Sequence, residues 1–290
     1  MHPLPFKQVD VFTSVRFKGN PVAVVLEGDG LSGEQMQQIA HWTNLSETTF
    51  VLAPTVPGAD YHVRIFTPGS ELPFAGHPTI GTAHALLEAG RVRASAGKLV
   101  QQCKAGLIAV QVDDTAAERT IAFTLPQAKL TALPATELAE LASLLGAQPV
   151  REPLLVDVGP RWVLVQLADA RAVLAAAPDL ARMKALDAAG RRTGIVLYGR
   201  YPDGSAADIE MRAFAPAHGI SEDPVCGSGA GCLGAYLRHT GQVLDADLLL
   251  SQGQVVGRAG RIRLGVHPDA VTVGGHAVTC IDGAITATQP

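Results

Sequence analysis

The chain has 290 residues, 47% of them hydrophobic and 17% charged, so it can bury a sizeable core and is not a disordered tail. A formal charge of −4 gives no basic footprint and argues against nucleic acid as the main partner. No apolar run approaches a membrane span and the amino terminus lacks a secretion-type apolar region, so the expectation is a soluble, cytoplasmic protein that does not enter a membrane.

In chain order, short β-branched runs predict strands at Val9 to Thr13, Val22 to Glu27, Thr48 to Ala53, Tyr61 to Phe66, Leu99 to Cys103, Leu107 to Val112 and Thr120 to Leu125. Met36, Ile39, Ala40 and Trp42 have helical spacing, so Gly33 to Thr43 reads as a helix with Ser32 as N-cap and Asn44 as its stop. Pro78 to Ala89 reads as a second helix, with proline in its first turn and Gly90 after its end. Lys129 to Ala135 reads as a linker and Glu137 to Leu145 as the helix that opens the second half. Strands are expected at Leu154 to Val158, Trp162 to Gln166, Gly194 to Tyr198, Ile209 to Phe214, Ile262 to Val266, Val271 to Val273 and Val278 to Ile281. Pro178 divides Ala170 to Ala189 into two short helices.

The chain repeats itself. Phe66-Thr-Pro68 followed by Gly76-His77-Pro78-Thr79 and Gly90-Arg-Val92 returns as Phe214-Ala-Pro216, Gly227-Ser228-Gly229-Ala230 and Gly241-Gln-Val243. Gly76 and Gly227 are 151 residues apart, as are Val92 and Val243, whereas Phe66 and Phe214 are 148 apart. The second copy thus carries three extra residues beside Glu222-Asp223. A repeat of this length predicts two similar domains, 1–127 and 128–290, with the last strand free to return to the first. Each copy holds a helix crowded with Gly, Ala, Ser and Thr, which suits wrapping by a curved sheet. The amino termini of two such helices would aim their unpaired N–H groups into a crevice suited to a carboxylate or an enolate-like oxyanion. The class expected is α+β, each domain a barrel-like, mostly antiparallel sheet around a central helix.

Asn20-Pro21-Val-Ala-Val24, Leu45-Ser46-Glu47-Thr48, Glu71-Leu-Pro-Phe-Ala-Gly76-His77-Pro78-Thr79 and Glu222-Asp223-Pro224-Val-Cys226-Gly227-Ser228 resemble, in this order, the PhzF-like family of phenazine-biosynthesis isomerases. The resemblance runs almost the length of the chain, with Gln252-Gly253 and Gly274-Gly275 near its end. It implies two domains of the diaminopimelate-epimerase fold, a homodimer, no metal and no organic cofactor. By position it implies Glu47 as catalytic acid/base, His77 and Asp223 as the polar residues flanking it, and Gly76, Gly227 and Ser228 as substrate-binding positions, with Asn20 as a further polar contact. The reaction it implies is isomerisation of a small carboxylate, trans-2,3-dihydro-3-hydroxyanthranilate, by a proton shift between carbons.

The residues themselves are compatible with that chemistry, since removing a proton from carbon needs a close, partly desolvated base and fixed dipoles for the carbanion. His77 and Asp223, read as sitting at equivalent ends of the repeat, could then share a proton. Taken singly, Glu47 is an ordinary solvated carboxylate at a strand edge, His77 and Asp223 ordinary turn or cap residues, and Ser228 an ordinary first-turn residue. His41, His62, His84 and His239 have no metal-ligand spacing. Cys103, Cys226, Cys232 and Cys280 form no CxxC pair and read as free thiols. Cys226 precedes a helix-mouth glycine where related racemases carry one of two thiols, but the first copy has Ala75 there. Two alternatives therefore stay open: a single-thiol racemase or epimerase using Cys226, and a non-catalytic binder of small carboxylates.

Overall fold

The computed structural model describes residues 2–116 and 118–287. The chain forms two compact units, Met1–Phe123 joined by Gly274–Pro290, and Thr124–Val273. The carboxy-terminal segment therefore packs with the first unit. The reason is pairing: Ala277–Ala287 runs antiparallel to His2–Val11 along that strand's whole length.

In the first unit His2–Val11 also pairs with Asn20–Val25, but only from Phe6 onward. Pro3 and Pro5 thus fall where the strand has a partner on one side only, a place where a missing N–H is tolerated. Asn20–Val25 is parallel to Thr48–Leu52, which is antiparallel to Tyr61–Phe66. The Gly33–Thr43 helix makes the first crossover, and its ends are those the sequence indicates. Ser32 accepts from the Gln35 amide while the Gln35 side chain accepts from the Ser32 amide, and Asn44 closes the helix in the left-handed conformation at φ 53°. Tyr61–Phe66 is then parallel to Lys98–Cys103, with the Gly76–Glu88 helix between them in sequence. Gly106–Asp113 and Thr120–Thr124 continue as an antiparallel meander.

The second unit follows the same plan. Arg161–Gln166 is parallel to Gly194–Arg200, with two short helices, Ala170–Ala175 and Leu180–Ala189, in the crossover. Asp169 and Asp179 cap those helices on either side of Pro178. Gly194–Arg200 is antiparallel to Ile209–Ala215, which is parallel to Ala246–Gln252 across the Gly227–His239 helix. The repeat is thus one of topology: each unit has a parallel pair spanned by an outer crossover and a second parallel pair spanned by a buried central helix.

Both central helices are buried around most of their circumference, and their first turns are built mostly of small residues. A methyl group on Gly81 would strike Val22, and one on Gly231 would strike Leu125. Such contact on every side is available only to small residues, and no polar face is left for solvent. Larger apolar residues also gather beneath the outer helices. Met36, Ala40, Phe50 and Phe66 form one such cluster in the first unit, and Leu144, Val163, Met183 and Phe214 belong to its counterpart in the second. Each fully buried Leu, Met or Phe there is worth about 1.5–3 kcal/mol.

Four strands of the structure were not read as strands from the sequence. Lys129–Ala132, read as linker, is a strand paired with Leu154–Asp157, because its alternating pattern meets a partner more than twenty residues on. Ala246–Gln252, with its Leu-Leu-Leu run, and the short Glu71–Leu72 and Ile220–Asp223 strands had no sequence reading. Among the described residues no helix is long and apolar enough to cross a membrane.

Candidate active site

In the first unit, Glu47 sits one residue ahead of the Thr48–Leu52 strand, and His77 is the second residue of the central helix. Thirty residues apart in sequence, they meet with Glu47 Oε2 3.3 Å from His77 Nε2. The side chains are 16% and 9% exposed, so water has little access to the pair. Burial pushes the His77 ring down to a pKa of about 3, and a hydrogen bond to the Pro21 backbone opposes that only in part. The ring is therefore neutral at pH 7, and the contact with Glu47 is not an ion pair. Proline offers only a carbonyl, so the ring N–H donates to it, and Nε2 makes no hydrogen bond among the described residues, which assigns that N–H to Nδ1. The Nε2 lone pair then faces Glu47 Oε2, from which it can accept a hydrogen bond when the carboxyl group is protonated.

Two further predicted residues flank this pair. Asn20, fully buried, begins the strand that carries Pro21. Gly76 begins the central helix after Ala75, which has no side chain to cap the first turn. A Cβ on Gly76 would lie 2.5 Å from Phe123 Cζ, so no other residue fits there without moving that ring.

The second unit carries its own polar helix mouth. Asp223 ends a short strand and accepts from the Val225 amide at 3.0 Å. Burial raises its carboxyl to a pKa of about 6, despite that amide and a contact with Cys226. Cys226 takes the N-cap position, its sulfur accepting from the Gly229 amide at 3.3 Å. Burial and the neighbouring Asp223 push its thiol well up, the opposite of what a thiolate base needs, and this weighs against the single-thiol racemase. Gly227 and Ser228 follow as the first helical residues, and Ser228 Oγ accepts from the Trp162 indole N–H at 3.0 Å.

Gln252 fixes this loop from the neighbouring strand. Its Oε1 accepts from the Cys226 amide at 2.8 Å, and its Nε2 donates to the Asp223 carbonyl at 2.7 Å. The sequence marked only the region of Gln252, and Trp162 had no sequence reading beyond a strand start. A paired Arg–Glu clamp was also missed, though its signal is in the repeat. Arg64 grips Glu71 with two bonds of 2.8 and 3.0 Å, and Arg212 grips Glu222 with two of 2.9 and 2.7 Å. Each guanidinium lies over the phenylalanine two residues on, at 5.1 Å for Phe66 and 4.9 Å for Phe214.

Strand register corrects the matching of polar residues between copies. The constant offset of 151 makes Ser228 the counterpart of His77, and Leu72 the counterpart of Asp223, so His77 and Asp223 are not equivalent. Thr48 pairs with Phe66 and Ile195 with Phe214, so the counterpart of Glu47 is Gly194. A Cβ at Gly194 would run into the Phe214 carbonyl and come within 3.0 Å of the Trp162 ring. The second copy has no room for a carboxylate where the first holds Glu47. Among the described residues no group of three or more His, Cys, Asp or Glu side chains could hold a metal ion.

Two copies of one α+β plan with unequal polar mouths are the architecture of a known isomerase class. The family model described as phenazine biosynthesis-like protein, PhzC-PhzF, matches residues 9–283, and the chain belongs to that family. Antisense-enhancing sequence 1 of Schizosaccharomyces pombe is 41% identical over 290 residues, covering 96% of this chain and 97% of that protein. Trans-2,3-dihydro-3-hydroxyanthranilate isomerase of Pseudomonas aeruginosa is 34% identical over 289 residues, covering 95% and 96%. A crystal structure of a PhzF-family phenazine biosynthesis protein from Bacillus anthracis superposes with a TM-score of 0.88 at 27% identity, covering 99% of this chain and all of that one.

Proposed function

We propose that this PhzF-family isomerase moves a proton between carbons of a small amino or hydroxy acid such as trans-2,3-dihydro-3-hydroxyanthranilate, with Glu47 as general acid/base and no organic cofactor. The observation that carries the reading is the buried Glu47–His77 pair. A neutral imidazole 3.3 Å from the carboxyl group can accept a hydrogen bond from it when it is protonated and so hold it in place, while burial keeps the ring from taking the proton, which is left to Glu47 to exchange with carbon. With Gly194 in the corresponding place, the chain has this pair once, which favours removal and return of a proton by one group over a two-base racemisation.

Gly76, Gly227 and Ser228 serve in this reading as substrate-binding positions, with Asn20 as a further polar contact. Asp223, raised to about 6, is poised to hold or release a proton near neutrality. The net charge of −4 argues against a nucleic acid as the ligand. The reading includes a cytoplasmic homodimer, which sedimentation velocity tests directly.

The test of the chemistry is deuterium uptake from D2O, followed by mass spectrometry, into trans-2,3-dihydro-3-hydroxyanthranilate and a panel of cyclic and linear α-amino acids. Uptake into one compound with the wild-type protein, abolished by Glu47→Gln, is the expected result. Uptake that survives Glu47→Gln overturns the role of Glu47. No uptake into any compound, with carboxylate binding intact in both proteins, favours a binder instead.

A further inference from the structure

The Trp162–Ser228 hydrogen bond joins two residues on which the proton chemistry above makes no demand. Trp162 is 2% exposed, and its indole can only donate. Its N–H, 3.0 Å from Ser228 Oγ, therefore occupies one lone pair of that oxygen. The Cys226 sulfur lies 3.6 Å from the same oxygen on another side. Burial keeps Cys226 a protonated thiol, so its S–H is a second donor within reach. With the indole N–H on one lone pair and the thiol S–H in reach of the other, the group Ser228 has left for a ligand is its own proton. Ser228 is half-buried at the start of the central helix, where the helix dipole already favours negative charge.

The repeat explains why an indole stands here. Trp162 pairs with Gly194, and its ring fills the space that a side chain at Gly194 would need. In the first copy that corresponding position bears Glu47 beside His77. In the second, an aromatic donor stands beside a serine. The two copies thus differ in a linked set of residues: a carboxyl and an imidazole in one, an indole and a hydroxyl in the other.

We propose that Trp162 is a positioning residue that commits the Ser228 hydroxyl to donating, and so selects ligands bearing a carboxylate at this helix mouth over their uncharged carboxamides. The proposal rests on the reading of Ser228 as a substrate-binding position. A carboxylate only accepts, and it matches a hydroxyl that only donates. A carboxamide also presents N–H groups, which an oxygen accepting from both Trp162 and Cys226 cannot satisfy, so part of its polar surface is left unpaired on binding.

The test uses anthranilate and 2-aminobenzamide, which share a ring and differ in charge, with binding to the full-length protein followed by calorimetry. The wild type is expected to prefer anthranilate. Trp162→Phe keeps an aromatic ring and removes the N–H; it is expected to weaken anthranilate about tenfold while leaving 2-aminobenzamide unchanged or tighter. Adding Trp162→Phe to Ser228→Ala should cost nothing further, because the effect passes through the hydroxyl. Equal losses for both ligands in Trp162→Phe, or no loss for either, overturn the proposal. If Ser228→Ala leaves anthranilate binding intact, the assignment of Ser228 fails instead, and failure of the wild type to bind anthranilate overturns the carboxylate selection outright.

A second measurement does not depend on the folding of the Trp162 variant. The chain has only two tryptophans, and the other, Trp42, is 79% exposed, so two indole N–H resonances suffice to follow Trp162. Ser228→Ala should move the slowly exchanging resonance and erase the preference for carboxylate over amide. An unmoved resonance shows that the bond is absent and overturns the proposal.

Discussion

Replacing His77 with Asn should remove a pH dependence of stability that the buried ring imposes. An unfolded histidine titrates near 6.5, whereas His77 in the folded chain titrates near 3. Between those values the unfolded state binds the extra proton, so stability rises with pH and is lost as pH falls below about 6.5. From pH 7 to pH 5 the wild type should lose about 2 kcal/mol through this one group, with a further loss toward pH 3. The amide nitrogen of Asn can take the place of Nδ1 and keep the bond to the Pro21 carbonyl, so the variant tests titration rather than packing. Urea denaturation of both proteins at pH 7 and pH 5, followed by circular dichroism, gives the difference in slope. The wild type should lose about 2 kcal/mol more than His77→Asn over that interval. Equal losses would mean that His77 is charged or solvated in the folded state, and the neutral-imidazole contact with Glu47 would fall with it.

Other outcomes follow from the same geometry. Gly194→Ala should destabilise the second unit by about 3 kcal/mol, because the added methyl meets the Phe214 carbonyl and the Trp162 ring; a thermal midpoint within a degree of wild type would contradict the assigned register. Arg212→Lys should cost about 3 kcal/mol and Arg64→Lys about 1 kcal/mol in denaturant titrations. Arg212 is the more buried of the two and also donates to the Val173 and Ala176 carbonyls, which a lysine cannot do while holding Glu222. Native thiol titration at pH 8, with mass-spectrometric mapping, should find Cys280 reacting first and Cys226 nearly inert; rapid modification of Cys226 would return the single-thiol reading to contention.

The sequence by itself determined what local chemistry and internal comparison can carry. Ser32 and Asn44 bracket the Gly33–Thr43 helix because capping is decided within four residues of each end. Pro178 divides the two short helices because a missing N–H acts locally. The 151-residue offset was visible because a glycine opens both central helices, at Gly76 where a Cβ would strike the Phe123 ring, and it foretold two units of one plan. The α+β class and the run of family motifs came from the same source.

Tertiary structure alone decided the pairings. Lys129–Ala132 pairs with Leu154–Asp157, and Ala246–Gln252 pairs with Ile209–Ala215 some forty residues back, so both draw hydrogen bonds from partners outside any short window of sequence. Ala277–Ala287 joins the first unit for the same reason. The polar correspondence between copies also needed register: only the pairing of Thr48 with Phe66 and of Ile195 with Phe214 reveals Gly194 opposite Glu47. Likewise the neutrality of His77 depends on burial from all sides, the sum of contacts made by residues far away in the chain. Residue types and their order therefore gave the candidates, and the long-range packing that removes water from them fixed which protons they can hold.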